Sequence, residues 1–250
     1  MIPRLYSPEP LASGSTVALS ADQAHYVRSV LRRKAGDELA LFNARDGEYR
    51  AVIAETSKKG ARAQIVELLR PPQRETPLEL LFAPVKRAAL ELIIQKATEL
   101  GATHLSPVIT RRTNADIARM DRLVAISVEA AEQCHRLSPP ILRPPRKLGD
   151  ALDSWPAGDA LVFCDEAGDD PAREWGGEEG RAAPFLTAIA GAAPRAVLIG
   201  PEGGFDAAER KDLRARSFVI PASLGSLILR ADTAAIVALG LIGAHRLAQP

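Results

Sequence analysis

Cysteine is nearly absent from this sequence of 250 residues: Cys134 and Cys164 are the only two, and they fall on different expected elements. With four scattered histidines (His25, His104, His135, His245) they give no zinc spacing. No metal site is expected, and both thiols read as small reduced core residues. No stretch approaches the roughly 20 apolar residues that a membrane-spanning helix needs. The longest, Ala234 to Ala244, is short and is flanked by Asp232, His245 and Arg246. The opening MIPRLYSPEP lacks the charged-then-apolar layout of a secretory signal, so the cytoplasm is the expected compartment. Also missing are the GxGxxG fingerprint of dinucleotide enzymes and the GxxxxGK[ST] phosphate loop. A nicotinamide or ATP enzyme is thereby disfavoured.

What is present is an ordinary globular balance, 46% hydrophobic and 25% charged, with a net charge of +1. That charge is unevenly spread. Met1 to Lys147 carries 23 Lys and Arg against 16 Asp and Glu, whereas Leu148 to Pro250 carries 9 against 15. The N-terminal side is thus suited to a polyanionic partner, although two solvated faces of opposite sign would look the same.

The first 70 residues hold short β-like runs at Thr16–Leu19, Glu38–Phe42, Tyr49–Glu55 and Ala61–Leu68. Turn signals at Asp46-Gly47 and Lys58-Lys59-Gly60 separate them, and a helix-like insert spans Asp22 to Arg33. This predicts a small β-barrel over 1–70, closed off by Pro71 and Pro72, with 71–76 as linker. From Pro77 the pattern alternates. Strands are expected at Leu78–Val85, His104–Ile109, Ala160–Cys164, Ala196–Ile199 and Phe218–Ile220. Helices are expected at Lys86–Leu100, stopped by Gly101, at Asp121–Leu137, from Asp206 through Leu213, and at Thr233–Leu247. Alternation of this kind predicts an α/β domain over 77–250 with a mostly parallel sheet covered on both faces. Asp165 to Arg181, rich in glycine and acidic residues, reads as a mobile loop.

Three strings stand out. Leu198-Ile199-Gly200-Pro201-Glu202-Gly203-Gly204-Phe205 runs from a strand end through a glycine-rich turn into a capped helix, where ligands bind in open α/β sheets. Ser223 to Ala234 again leads from a strand end through a loop into a helix, with Arg230 placed to hold a phosphate or a developing anion. Glu129, Glu132, Gln133 and Arg136 fall on one polar helical stripe, which a plain Glu132–Arg136 pair would also explain.

Together with Gln95 to Gly101, these strings resemble, in order and spacing, the RsmE family of SPOUT RNA methyltransferases. Pro3-Arg4, His25 to Arg32 and Gly36-Asp37 resemble that family's PUA-like domain, so the likeness spans essentially the whole chain. The resemblance implies a C-terminal SPOUT domain tied into a trefoil knot. It also implies a homodimer, and S-adenosylmethionine bound by Leu198, Gly200, Pro201, Glu202, Gly203 and Gly204, by Leu224, Gly225, Leu227 and Leu229, with Phe163 to Glu166 as a third wall. The implied reaction is methylation of N3 of a uridine in 16S ribosomal RNA, gripped by the N-terminal domain. Arg4, Arg28, Arg32, Arg33 and Lys34 form the best basic cluster there.

For chemistry, Arg230 is the first candidate to stabilise charge on the base and Arg136 the second, with Glu202 or Asp232 as proton acceptor. The chain departs from the family pattern at two points. Ser226 and Leu227 stand where Pro and Arg are usual, and His135 stands where glycine is usual. The alternatives are a SPOUT enzyme acting on another RNA position, or a non-catalytic RNA-binding assembly factor.

Overall fold

The computed structural model describes residues 2–57, 60–115, 117, 119–166 and 182–248. The expected Lys58-Lys59 turn, and all of the acidic loop beyond Glu166 up to Arg181, lie outside the described residues. Two compact units emerge: 1–75 with 128–139, and 76–127 with 140–250.

The first unit is a five-stranded sheet of β1 (Arg4–Tyr6), β2 (Thr16–Ala18), β3 (Glu38–Asn43), β4 (Gly47–Ser57) and β5 (Gly60–Arg70), in the order β1-β3-β4-β5-β2. Only the β1–β3 pairing is parallel. Every second residue faces inward, so Leu39 and Leu41, Ala51 and Ile53, and Ala61, Ala63 and Ile65 fill one core. Ser20 and Gln23 form a capping box that opens α1 (Ala21–His25). The expected helix to Arg33 is cut short. Tyr26–Val30 is π-helical, the Leu31 N–H donates to the Tyr26 carbonyl at 2.9 Å, and Arg32 turns the chain with φ +54°.

The second unit is a sheet of β6 (Glu79–Phe82), β7 (His104–Ile109), β8 (Ile141–Leu142), β9 (Arg146–Lys147), β10 (Leu161–Cys164), β11 (Ala183–Pro184), β12 (Ala196–Ile199) and β13 (Val219–Ser223). Its order is β11-β13-β10-β12-β6-β7-β8, with β9 also on β7, and every pairing is parallel. Helices cover it on both faces, which is why β10 and β12 at its centre are apolar at every position. Leu80, Phe82, Val162, Val197 and Ile199 pack with α2 (Arg87–Glu99) and α7 (Ala231–Leu247). Leu81, Leu161, Phe163 and Leu198 pack with α4 (Leu148–Asp153) and α6 (Ala207–Ala215). The short α5 (Phe185–Ala188) adds Phe185 to the first of these cores. Gly101, at φ +86°, ends α2 in a Schellman turn: the Ala102 N–H donates to Ala97 O at 2.9 Å and the Gly101 N–H to Thr98 O at 3.2 Å. No helix among the described residues is long and apolar enough to cross a membrane.

Two expectations are corrected around α3 (Met120–Gln133), which stops four residues before the expected Leu137. His135 stands just beyond its end in the left-handed region, φ +62°. The division at 71–76 also placed 128–139 with the C-terminal part. Val128–Pro139 instead groups with the first unit, because the Arg4 guanidinium donates to the carbonyls of Ala131 (3.2 Å), Glu132 (2.6 Å) and Arg136 (3.0 Å). Carbonyls at a helix end have no intrahelical donor, so a buried cation there satisfies several at once.

Candidate active site

A cavity of about 860 Å³, counting its open mouth, lies at the carboxyl ends of β10 and β12. Cys164, Asp165 and Glu166 continue from β10, Ile199 to Phe205 continue from β12, and Ile228, Leu229, Ala231 and Ala234 close it from the start of α7. Two neighbouring parallel strands release their chains here, and that divergence opens the crevice.

The glycine turn has a definite internal order. A Cβ on Gly200 would sit 2.6 Å from Phe205 Cε2, and Phe205 in turn meets Phe163 edge-on, centroids 5.0 Å apart. Gly204 has φ +66°, and its N–H donates to Pro201 O at 2.9 Å. Gly203 has room for a Cβ, with Arg112 Cβ 3.6 Å away. Outside contacts hold the turn: Arg112 Nη1 donates to Gly203 O (2.9 Å), and Arg111 donates from its backbone to Glu209 Oε1 (2.8 Å) and from Nη1 to Asp206 Oδ1 (3.1 Å). Asp206 and Glu209 at the same time form the capping box of α6, as their spacing predicted.

Asp165 anchors the wall opposite. It is 3% exposed, and Arg210 grips it through Nε (2.8 Å) and Nη2 (2.9 Å) while Arg214 adds Nε (2.8 Å). Spacing of four on α6 puts both arginines on one helical face. The sequence placed Asp165 both in the third wall of the expected cofactor site and at the start of a mobile loop, but missed both arginines; two arginines four apart was the one available signal. Beside it, burial first, and then the neighbouring Glu166 and Asp165, push the Cys164 thiol well above its ordinary range, which disfavours the thiolate.

Arg230 is the N-cap residue of α7 but supplies no side-chain cap. Its side chain is exposed and makes no hydrogen bond or ion pair among the described residues. The helix therefore begins two residues before the expected Thr233, with Asp232 in its first turn accepting from the Thr233 N–H (2.8 Å). Glu202 is exposed at the cavity edge, likewise without a side-chain partner among the described residues.

A family model described as an RNA methyltransferase domain matches residues 72–243, and one described as an RNA methyltransferase PUA domain matches 19–66. The ribosomal RNA small subunit methyltransferase E of Rickettsia conorii is 35% identical over 246 residues, covering 97% of this chain and 96% of the relative. This chain belongs to the ribosomal RNA small subunit methyltransferase E family. Solved structures agree. A Legionella pneumophila structure described as a methyltransferase with bound SAM shows 30% identity and a TM-score of 0.80 over 98% of both chains. The Neisseria gonorrhoeae ribosomal RNA small subunit methyltransferase E, bound to S-adenosyl methionine, shows 26% and 0.78 over 98% of both.

Set against the residues expected for this family, Gly200, Pro201, Glu202, Gly203, Gly204 and Leu229 line the cavity. Leu198 does not: it is fully buried on the opposite face of the sheet, because alternate strand residues point opposite ways. Leu224 packs into the core instead, Gly225 lies outside the lining, and Leu227 is 73% exposed. Cys164, Asp165 and Glu166 of the expected third wall line it too, as do Ile199 and Ile228 within the expected loops, whereas Phe205, Arg210, Ala231 and Ala234 complete the lining and were not foreseen.

Arg136 belongs to the first unit, lies past the end of α3, and is 9% exposed with Nε on Glu75 Oε1 at 3.0 Å. That engagement leaves no reason to give it a chemical role. Arg4 is corrected as well. It is 7% exposed, paired with Glu48 (2.9 Å) and stacked over Phe42 (4.2 Å), so it braces the fold and offers nothing to a phosphate. Arg28, Arg32, Arg33 and Lys34 stay at or near the surface around the π-helical turn.

Proposed function

We propose that this protein transfers a methyl group from S-adenosylmethionine to N3 of a uridine in 16S ribosomal RNA. The observation that carries the reading is the cavity just described, with an ordered glycine turn, aliphatic walls and an unengaged arginine at its α7 side. Its chemistry fits the cofactor. Ile199, Ile228, Leu229, Ala231 and Ala234 provide an apolar lining for a purine, and the Gly200–Gly204 turn brings backbone close, with no side chain at Gly203 or Gly204. When bound, the cofactor supplies an electrophilic methyl group on a sulfonium.

Uridine N3 carries an imide proton and lies on the pairing edge, so the base must be unpaired and presented at the cavity mouth. Glu202, exposed and unengaged, accepts that proton; Asp232, already bonded to Thr233, is the poorer acceptor. Loss of the proton leaves negative charge on N3 and the two flanking carbonyl oxygens. Arg230 is the cation placed to stabilise that charge more than the neutral base. Arg28, Arg32, Arg33 and Lys34 on the first unit hold the surrounding RNA.

Incubation with methyl-labelled cofactor and small-subunit RNA, followed by mapping of the labelled nucleotide, tests the reading. Label on uridine N3 supports it, label elsewhere redirects it to another RNA position, and no label sinks it in favour of a non-catalytic binding role.

The same reading includes the trefoil knot and a homodimer. The strand order, with β10 between β12 and β13, supports the first. For the second, α7 buries Ala235, Ala238, Leu239 and Ile242 but leaves Ile236, Val237 and Leu241 half-covered, a face that a second copy would complete. Light scattering at micromolar concentration should report twice the chain mass.

A further inference from the structure

A second cavity opens at the same carboxyl edge of the sheet, one strand over. β6 is hydrogen-bonded to β12, and just past its end the Ala83 N–H donates to Ile199 O at 3.0 Å. The chain then reaches Val85, Lys86 and Arg87, which line a cavity of about 700 Å³ counting its mouth. Its floor is aliphatic, from Val85, Leu90, Ile117 and Leu123, and its rim is cationic, from Lys86, Arg87, Arg119 and Arg122.

The rim charges are held apart in a particular way. Glu91 accepts from Arg87 Nε (2.8 Å) and from Arg122 Nη2 (2.9 Å). The guanidiniums of Arg122 and then Arg87 hold its carboxyl down at about 2, so at any cellular pH it is an anion that fixes two arginine heads at the mouth. Lys86 has no side-chain partner among the described residues. Among the described residues Arg119 meets Asp121 alone, at 3.2 Å, with both side chains largely exposed, a pairing worth little against a stronger anion. Among the described residues, the lining thus sets four cations against one carboxylate, Glu91, around an apolar hollow.

We propose that this cavity docks one unpaired nucleotide of the RNA substrate next to the methylated base. The base rests on the aliphatic floor, and its phosphates meet Lys86, Arg119 and Arg122. The proposal rests on the RNA-methylating reading above. An unpaired target leaves its neighbours unstacked as well, and a single strand displays bases and phosphates together, which is what an apolar floor inside a cationic rim fits. Guanidinium planes can stack on bases in place of the aromatic side chains that this cavity lacks. An acidic protein segment offers charge but no flat apolar group for the floor.

The test is binding of a labelled single-stranded fragment of small-subunit RNA across about 0.05–0.2 M salt, for the full chain and for the Lys86→Ala/Arg119→Ala double variant. The slope of log affinity against log salt should become shallower by about 1.4, from two lost phosphate contacts at about 0.7 each. Replacement of both by the other basic residue (Lys86→Arg/Arg119→Lys) should restore it. Calorimetric affinity for S-adenosylmethionine should not change, which shows the variant to be folded. A folded variant with unchanged slope overturns this site while leaving the methyltransferase reading intact. If the unaltered protein binds no RNA, both readings fall together.

Discussion

The ring of Phe205 occupies the space into which a side chain at Gly200 would project: a Cβ there would come within 2.6 Å of Cε2. Phe205 cannot retreat freely, because Phe163 packs edge-on against it. Gly200→Ala should therefore displace the turn and weaken cofactor binding by roughly tenfold or more, in line with the ~1–3 kcal/mol of an overpacked site. Gly203→Ala, with its nearest neighbour at 3.6 Å, should bind almost normally. Isothermal titration of the two variants checks the contrast, and equal affinities would show that the turn is not packed this way in solution.

Arg230→Ala should lower the single-turnover rate of methyl transfer by about 10²–10³, the scale for loss of one preorganised charge-stabilising donor. Cofactor affinity should change far less. A near-normal rate with saturating RNA and cofactor would remove Arg230 from the chemistry.

Two carboxylates flank Arg4, and they should respond to neutralisation with opposite signs. For Glu48, burial raises the carboxyl's pKa, but hydrogen bonds and charge from Arg4 and Arg70 outweigh it and leave the group below its ordinary value. A carboxyl lowered in this way stabilises the fold above the unfolded-state pKa, and that stability is lost as pH falls through the folded value. Glu132 is raised, by burial first, against the opposing bond from the Tyr6 N–H and the charge of Arg4. It favours the fold below the ordinary carboxyl pKa, and its contribution fades as pH rises through the elevated value. At neutral pH, Glu48→Gln should destabilise by about 3–5 kcal/mol, as when one partner of a buried ion pair is removed. Glu132→Gln should stabilise slightly. Urea titrations at neutral and mildly acidic pH read both effects.

His135 holds a left-handed conformation at the end of α3, the position where glycine usually terminates a helix. For a β-carbon this costs about 1–2 kcal/mol, partly offset by the greater freedom of glycine in the unfolded chain. His135→Gly should raise stability by several tenths of a kcal/mol, seen as a small increase in Tm. A decrease would mean that the imidazole makes a favourable contact.

The strands and helices of the second unit were legible because local sequence carries their cause. Short aliphatic runs such as Ala196–Ile199, bounded by turn residues and alternating with helical patterns, read as strands covered on both faces, and Asp206 with Glu209 announces a helix start. The glycine turn was legible for the same reason. What local pattern could not show was long-range engagement. Arg4 reads as one more surface cation until Glu48 and the end of α3 are brought to it, 44 and 127 or more residues away. The resemblance placed Asp165 in a wall of the cofactor site, but its burial there is legible only once Arg210 and Arg214 arrive from α6. The π-helical turn at Tyr26–Val30 has the same apolar spacing as an α-helix and differs only in its hydrogen bonds. The Leu198 side chain faces away from the cavity because one step along a strand reverses the face, and a loop-by-loop reading of sequence does not register that.

The contacts of Arg111 and Arg112 have a consequence for how a ligand arrives. With Gly203 O held by Arg112, and Asp206 and Glu209 held by Arg111, the turn is clamped on one side by a segment far away in the chain. Fixing each backbone residue costs about 1–2 kcal/mol of entropy, and here that loss falls on folding, before any ligand is present. Association then meets a receptor already in its bound shape, so it should be fast and limited by encounter rather than by loop closure. Cutting either arginine to alanine would move that ordering into the binding step. The signature would be a slower on-rate and a more unfavourable binding entropy, with every atom that touches the ligand still in place.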